Sequence, residues 1–303
     1  MSVKNILLTG AFAYSDKDIK DIESLGYKAD FIQFEQDTVE CPEKYDAVIC
    51  NGLFLYNDIN LFKKLRYIQL TSAGYDRVPM DIIKEKNIEI HNARGVYSIP
   101  MAEWAVMNAL ELYKQSRFFF KNQTCKLWQK NRSIRELNGK NVTVIGCGSI
   151  GTETAKRFKA FGCYITGVDI FAPENEWYDE YIATDNIDSA LVKGDVVILT
   201  VPLNASTYHL MNIDRLKAMK NDAVLINISR GSVVDQAALE HALINGIISG
   251  AALDVFEEEP LNESSSLWEL NNVIITPHNS FVGDGNRKRM FEVIINNLKG
   301  VVS

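Results

Sequence analysis

The sequence predicts an α/β protein whose strands run parallel. Three observations predict it. Short β-rich runs alternate with helical patterns from the start to about residue 90, and again from Asn141 onward. A long helical run separates the two alternations. The second alternation opens with Gly146-Cys147-Gly148-Ser149-Ile150-Gly151, set between an apolar run and a helical pattern.

In the first alternation Val3–Thr9, Lys28–Gln33, Ala47–Cys50, Tyr67–Thr71 and Ile88–Ile90 are the expected strands. Asp16–Leu25, Asp58–Leu65 and Pro79–Glu85 are the expected helices between them. Ser98–Gln123 then contains no Gly, and no Pro after Pro100. Its Ala102, Ala105, Val106, Ala109, Leu110, Leu112 and Tyr113 recur at helical spacing. Ser98 is placed to cap this helix, and Pro100 suits its first turn. One helix of about 24 residues spans roughly 36 Å. Such a helix links two domains, lies at a subunit interface, or is a buried core helix.

After the polar stretch Lys130–Lys140, the expected strands are Asn141–Ile145, Tyr164–Val168, Asp195–Thr200, Ala223–Ile228, Ile248–Leu253 and Val273–Thr276. Helices are expected over Ile150–Phe161, Ile187–Val192, Ile213–Met219 and Asp235–Asn245. Gly283–Val301 reads as a last helix, with Met290, Ile294, Ile295 and Leu298 on one face.

A chain of 303 residues corresponds to about two domains. Apolar residues make up 47% and charged residues 23%, which argues against disorder, collagen and a coiled coil. The net charge of −7 disfavours nucleic acid or an anionic membrane as the main partner. The five cysteines form no CxxC pair, which speaks against a disulfide framework or zinc knuckle and for a reducing, cytoplasmic setting. No apolar run approaches the roughly 18 residues that span a bilayer. The opening MSVKNILLTG reads as a strand and not as a signal peptide. The four histidines, His91, His209, His241 and His278, show no metal-ligand spacing, so no metal is expected.

The glycine motif has the setting that a dinucleotide site requires: strand, glycine loop, helix, and an acid, Asp169, at the end of the next strand. Gly146 permits a tight turn, Gly148 lets backbone approach a pyrophosphate, and Gly151 lets helix and strand pack closely. Phosphates then face the helix N-terminus. A carboxylate at Asp169 accepts ribose hydroxyls and repels a 2′-phosphate. Ile170-Phe171-Ala172-Pro173-Glu174 brings no cation to offset that, so NAD is expected over NADP.

Unusual residues recur at strand ends: Val201-Pro202-Leu203, Ser229-Arg230-Gly231, Asp254, and Pro277-His278-Asn279. In a parallel sheet these ends share one edge with the glycine loop, which is where ligands bind. Taken singly, Arg230 is equally readable as a surface ion pair, Glu257-Glu258-Glu259 as a solvated loop, and His278 as an ordinary histidine. Together they fit hydride transfer to a 2-keto acid. Arg230 clamps a carboxylate through two parallel bonds. His278 gives or takes the proton. Glu259 holds the far ring nitrogen of His278. Cys147 lacks a neighbouring base in sequence and is not read as a nucleophile.

These residues resemble the D-isomer-specific 2-hydroxyacid dehydrogenase family. The likeness runs from about Leu70 to Gly283, through Ser72-Ala73-Gly74-Tyr75-Asp76, Met101-Ala102-Glu103, the glycine loop, Val201-Pro202-Leu203, Asn227-Ile228-Ser229-Arg230-Gly231, Leu253-Asp254-Val255-Phe256 to Glu259-Pro260, and Thr276-Pro277-His278. The resemblance implies a Rossmann nicotinamide-binding domain, 96–281, inserted into a smaller flavodoxin-like substrate domain, 1–95 plus 282–303. It implies NAD(H)-dependent interconversion of a 2-keto acid and a D-2-hydroxy acid by a homodimer, with Arg230, Glu259 and His278 as the catalytic three. Ala73 and Gly74 would help hold the substrate carboxylate by their backbone, and Asp254 would contact the nicotinamide carboxamide. Ser149, Ile150, Asp169, Val201, Pro202, Thr207, Ile228 and Ser229 would line the cofactor. Ser149 stands where many members carry a basic or larger polar residue. Phe281 stands where many have small residues, and would reshape the pocket.

Two other readings use the same fold. One is an NAD(H)-sensing, corepressor-like binding protein. The other is oxidation of a different donor such as formate or phosphite. Arg94 is read either as a surface ion pair or as the partner of a second anionic group on the substrate.

Overall fold

Ile6, Leu7 and Leu8 are all fully buried. β1 (Lys4–Thr9) therefore has no solvent face and belongs in the middle of a sheet covered on both sides. The computed structural model describes residues 4–302, so Val3, the first residue of the first expected strand, lies outside the described residues. β2 (Tyr27–Ile32), β3 (Ala47–Cys50), β4 (Tyr67–Leu70) and β5 (Glu89–His91) complete a parallel sheet in the order β2-β1-β3-β4-β5. That order is the flavodoxin-like one. α1 (Asp16–Ser24) starts in a capping box: the Asp18 N–H donates to Ser15 Oγ at 3.3 Å, and the Ser15 N–H donates to the Asp18 carboxylate at 2.7 Å. α2 (Met80–Glu85) leads into β5.

The helix expected over Asp58–Leu65 is not α-helical. One 3₁₀ turn, Ile59–Leu61, stands in its place. Ile59, Phe62 and Leu65 lie three apart and are all buried in one cluster with Val48, Ile68 and Leu70. That spacing suits three residues per turn better than 3.6.

The long helix expected over Ser98–Gln123 is two helices, α3 (Ser98–Lys114) and α4 (Ser116–Thr124). Gln115 between them is left-handed, with φ 52° and ψ 49°. Its side chain accepts from Asn131 Nδ2 at 2.6 Å and donates to Ser133 Oγ at 3.3 Å. Contacts made by a distant segment thus accompany a break that no Gly or Pro announces. Ser98 does not cap α3: it is the first helical residue, and its hydroxyl is buried without a hydrogen-bond partner.

The second sheet holds β6 (Asn141–Ile145), β7 (Tyr164–Asp169), β8 (Glu180–Ala183), β9 (Val196–Leu199), β10 (Val224–Asn227), β11 (Gly250–Leu253) and β12 (Val273–Ile275). The order is β12-β11-β10-β9-β6-β7-β8, all parallel. This is the doubly wound Rossmann order with one strand added, reversing beside β6. β8 was not expected. It is a four-residue edge strand of mixed polarity, Glu-Tyr-Ile-Ala, and its pattern is too short to detect. α5 (Ser149–Ala160), α6 (Ile187–Leu191), α7 (Ile213–Ala218) and α8 (Gln236–Ile244) connect the strands, and α3 packs against α5, β10 and β11.

The last helix, α9 (Asn286–Val302), starts three residues later than expected. Its Met290, Ile294 and Leu298 are buried against Ile6, Leu8, Ile22 and Ile49 of the first sheet's core. Each such side chain contributes about 1.5–3 kcal/mol by leaving water. The chain divides into two compact units. One runs up to Tyr97 and resumes at Gly283; the other is Ser98–Val282.

Candidate active site

Within the Ser98–Val282 unit, strand order places the chemistry-bearing loops side by side. Along the carboxyl edge they follow as His278 after β12, Asp254 after β11, Arg230 after β10, Val201-Pro202 after β9, the glycine loop after β6, and Asp169 ending β7.

The glycine loop is shaped to hold a pyrophosphate. Gly146 has φ +100°, in the region that favours glycine. A Cβ at Gly151 would lie 1.9 Å from the Gly146 carbonyl oxygen, so helix and turn touch there. A Cβ at Gly148 would meet nothing within 4 Å, which leaves open space beside the backbone. α5 starts at Ser149 with no side chain capping it, so its first-turn N–H groups are available to an anion. Ser149 and Ile150 are half-buried in that first turn. The Asp169 carboxylate accepts from the Cys147 N–H at 2.6 Å and the Ile170 N–H at 2.7 Å. A carboxylate has about four acceptor sites, so it retains capacity for ribose hydroxyls. These residues fit NAD. Burial above all pushes the Cys147 thiol up to about 12, which keeps it protonated and a poor nucleophile.

The structure brings His278 and Glu259 together. His278 Nδ1 lies 2.9 Å from Glu259 Oε2, and Glu259 Oε1 accepts the Phe256 N–H at 3.1 Å. An ionised carboxylate only accepts, so it assigns the hydrogen to Nδ1. Nε2, on the other side of the ring, has no hydrogen-bond partner among the described residues. The Phe281 ring stands edge-on to the imidazole, with centroids 6.1 Å apart. Arg230 is half-buried; one of its guanidinium N–H groups donates to the Ser229 carbonyl at 2.8 Å.

A run of hydrogen bonds ties the Arg230 loop to the His278 loop. Asn227 Nδ2 donates to the Arg230 carbonyl at 3.1 Å, the Asp254 N–H to the Asn227 carbonyl at 3.1 Å, and the His278 N–H to the Asp254 carbonyl at 2.7 Å. His278 itself is left-handed, with φ 50°. The Asp254 side chain is fully buried and accepts from Thr276 Oγ1 at 2.5 Å, the Asn279 N–H at 2.8 Å and the Ser280 N–H at 2.9 Å. The structure thus engages the Asp254 carboxylate in the loop that carries His278. Leu253 and Ile275 are register partners, so Asp254 and Thr276 stand side by side just past the strands. That pairing was the available signal for the role, and for Thr276 and Asn227, which sequence reasoning did not single out.

Several expected cofactor residues spend their side chains on local structure. Thr207 Oγ1 donates to the Pro202 carbonyl at 2.6 Å and accepts the Asn204 N–H at 2.8 Å. The Ser229 hydroxyl and N–H both reach Asn227 Oδ1, at 2.7 and 3.0 Å. Ile228 is buried, Val201 packs against the core, and Pro202 is exposed. In the other unit Ala73 and Gly74 follow β4. The Ala73 carbonyl accepts Asn92 Nδ2 at 2.6 Å, and the Gly74 carbonyl accepts Ser72 Oγ at 3.0 Å. Arg94 makes no ion pair among the described residues. No helix among the described residues is long and apolar enough to cross a membrane.

Residues 106–280 match the family described as D-isomer specific 2-hydroxyacid dehydrogenase, NAD binding domain. A glyoxylate reductase of Thermofilum pendens is 36% identical over 247 residues, covering 78% of this chain and 72% of that protein. A D-3-phosphoglycerate dehydrogenase of Methanocaldococcus jannaschii is 34% identical over 84% of this chain and 49% of its own length. Among solved structures, a glyoxylate reductase from Paecilomyes thermophila superposes with a TM-score of 0.85 at 26% identity, covering 100% of this chain and 96% of that one. D-lactate dehydrogenase from Aquifex aeolicus, complexed with NAD and lactic acid, gives 0.77 at 27% identity, over 98% and 95%. The chain belongs to the D-isomer specific 2-hydroxyacid dehydrogenase family and is an NAD-dependent oxidoreductase of 2-hydroxy acids.

Proposed function

We propose that this enzyme reduces a small 2-keto acid to its D-2-hydroxy acid, and runs the reverse reaction, with Arg230, Glu259 and His278 as its catalytic groups. The observation that carries the reading is the His278–Glu259 pair at 2.9 Å, which leaves Nε2 as the proton-exchanging atom. Bound NAD(H) supplies or takes the hydride. Arg230 grips the substrate carboxylate with its planar fork and polarises the adjacent carbonyl. His278 Nε2 gives its proton to the carbonyl oxygen in reduction and recovers it from the hydroxyl in oxidation. Glu259 keeps the ring in one tautomer by accepting from Nδ1–H. The names of the relatives, glyoxylate reductase, D-3-phosphoglycerate dehydrogenase and D-lactate dehydrogenase, support a small 2-keto acid as substrate.

NADH consumption with purified protein tests this on glyoxylate, hydroxypyruvate, pyruvate, branched and aromatic 2-keto acids. Turnover of at least one, abolished in Arg230→Ala, is the expected result. Tight NADH binding with no turnover of any of them would instead point to an NAD(H)-sensing module.

Gly146, Gly148, Gly151, Ser149 and Ile150 hold the pyrophosphate in this reading, and Asp169 holds the adenosine ribose. Its carboxylate sets the preference for NAD by repelling a 2′-phosphate. Ile170 beside it is 70% exposed, so a longer side chain fits there. The double change Asp169→Ser with Ile170→Arg keeps an acceptor oxygen and adds a guanidinium. It is expected to raise the NADPH-to-NADH ratio of kcat/KM by about 10- to 100-fold. An unchanged ratio would remove Asp169 from the ribose site.

We also place the enzyme in the cytoplasm as a homodimer. Phe120, Leu127 and Trp128 support the dimer, since they follow one another on or just after α4 at 60%, 56% and 100% exposure. Sedimentation is expected to give twice the chain mass, and a monomer mass would contradict it.

A further inference from the structure

We propose that His209 is a positioning residue for the reaction: through its pair with Glu257 it holds the loop that carries Arg230 and the segment that carries Glu259 at one fixed separation. The proposal rests on the reading of Arg230 and Glu259 as catalytic groups, and every residue it uses lies in the Ser98–Val282 unit.

His209 closes the loop after β9, and directly after it Leu210 and Met211 are buried in the core. Its φ is +49°, in the left-handed region that is uncommon for residues other than glycine. Both its backbone and its ring are engaged there. The backbone N–H donates at 2.8 Å to the carbonyl of Ser232, two residues past Arg230. Ring Nε2 lies 2.8 Å from the Oε1 of Glu257, two residues before Glu259. The ionised carboxylate only accepts, so Nε2 carries the hydrogen, and it donates from the neutral and the protonated ring alike. The Tyr208 ring stacks on the imidazole, with centroids 4.0 Å apart and planes 15° from parallel.

One residue thus reaches both segments that carry the catalytic groups, and the bonds around it complete the frame. Glu257 Oε1 also accepts the Gln236 N–H at 3.1 Å, and Gln236 Oε1 accepts the Glu257 N–H at 3.4 Å. The Met211 N–H donates to the Val233 carbonyl at 3.0 Å, and the Asp235 N–H to the Met211 carbonyl at 3.1 Å. The two segments meet at Gly231, where a Cβ would lie 1.8 Å from the Phe256 carbonyl carbon. That contact limits how near they come and does not hold them together. Close to the strands the bond from Asp254 to Asn227 holds them; beyond Gly231, Glu257 holds them through His209 and Gln236. Without His209 the segment bearing Glu259, the partner of His278, is freer to move away from Arg230. The start of the loop after β9 does not depend on His209. Thr207 fixes it through the Pro202 carbonyl at 2.6 Å and the Asn204 N–H at 2.8 Å. The effect therefore falls on kcat and not on the KM for NADH.

The test measures kcat, the KM for NADH and Tm in the full chain, with the best-used 2-keto acid of those above. The variants are His209→Ala, His209→Gln, Glu257→Ala, and His209→Ala combined with Glu257→Ala. His209→Ala is expected to lower kcat about 10- to 100-fold, as a displacement of up to about 1 Å at a reacting group does, with the KM for NADH unchanged. His209→Gln, whose side-chain amide donates the same bond, is expected to recover kcat to within about threefold of native. Glu257→Ala is expected to lose at least as much as His209→Ala, and the double variant no more than Glu257→Ala, because the two side chains act as one pair. With Arg230→Ala inactive alongside, native kcat in His209→Ala, a loss carried by the KM for NADH, or a loss that His209→Gln does not relieve would overturn the assignment of His209 alone. Undiminished turnover in Arg230→Ala, or turnover of no 2-keto acid, would overturn the reading of the whole site, a separate and distinguishable failure.

Discussion

Replacing His278 with alanine is expected to lower kcat for 2-keto acid reduction about 100- to 10,000-fold, the range that a positioned general acid contributes. NADH affinity is expected to stay at its native value, because the glycine loop and Asp169 lie elsewhere along the sheet edge. The size of the effect follows from how firmly the ring is placed. Its backbone N–H is held by the Asp254 carbonyl at 2.7 Å, and its Nδ1 by Glu259 at 2.9 Å. The loop around it is pinned through Asn279 and Ser280 to a fully buried carboxylate. A proton donor fixed at both ends of the residue reaches its substrate without a search. Measured as kcat beside an NADH titration, a variant that keeps native kcat would remove His278 from the chemistry. One that loses NADH binding equally would make its role structural.

Gly231→Ala is expected to be as damaging, although residue 231 carries no side chain and touches no substrate. A Cβ there would lie 1.8 Å from the Phe256 carbonyl carbon, 1.9 Å from its oxygen and 2.4 Å from the Glu257 nitrogen. These are backbone atoms, so the clash is relieved only by moving the segment after β11 away from the segment after β10. Arg230 is adjacent to the first contact point. Glu259 is tied to the second, through the Phe256 N–H at 3.1 Å. Forcing the two apart separates Arg230 from the partner of His278. A displacement of about 1 Å at a reacting group costs on the order of 100-fold in rate, and overpacking costs about 1–3 kcal/mol of stability. The expected outcome is a kcat/KM reduced at least about 100-fold and a lower Tm, with NADH still bound. Native kcat/KM in Gly231→Ala would show that the two loops need not touch for catalysis.

Much of this site was legible in the sequence because parallel strands put their carboxyl ends on one edge. Once Ala223–Ile228, Ile248–Leu253 and Val273–Thr276 are read as strands, Arg230, Asp254 and His278 must be neighbours in register. The glycine loop was legible for a local reason: its spacing encodes a turn, an approach and a contact, and the structure shows Gly146 at positive φ and Gly151 against the Gly146 carbonyl. What stayed hidden depends on distant partners. The left-handed Gln115 is held by Asn131 and Ser133, so a helical pattern with no breaker divides in two. Ile59, Phe62 and Leu65 look helical by spacing, but only Ile59–Leu61 forms a turn, and it is 3₁₀. The three donors that the Asp254 carboxylate accepts from the next loop are likewise visible only in the fold.

The chirality of the product tests the central claim most directly. With NADH and a 2-keto acid that it turns over and whose product is chiral, which excludes glyoxylate, the enzyme is expected to release the D-2-hydroxy acid alone, and Arg230→Ala is expected to release none. An L-hydroxy acid, a racemate, or undiminished product from Arg230→Ala would contradict the placement of this chain's hydride-transfer chemistry at Arg230, Glu259 and His278.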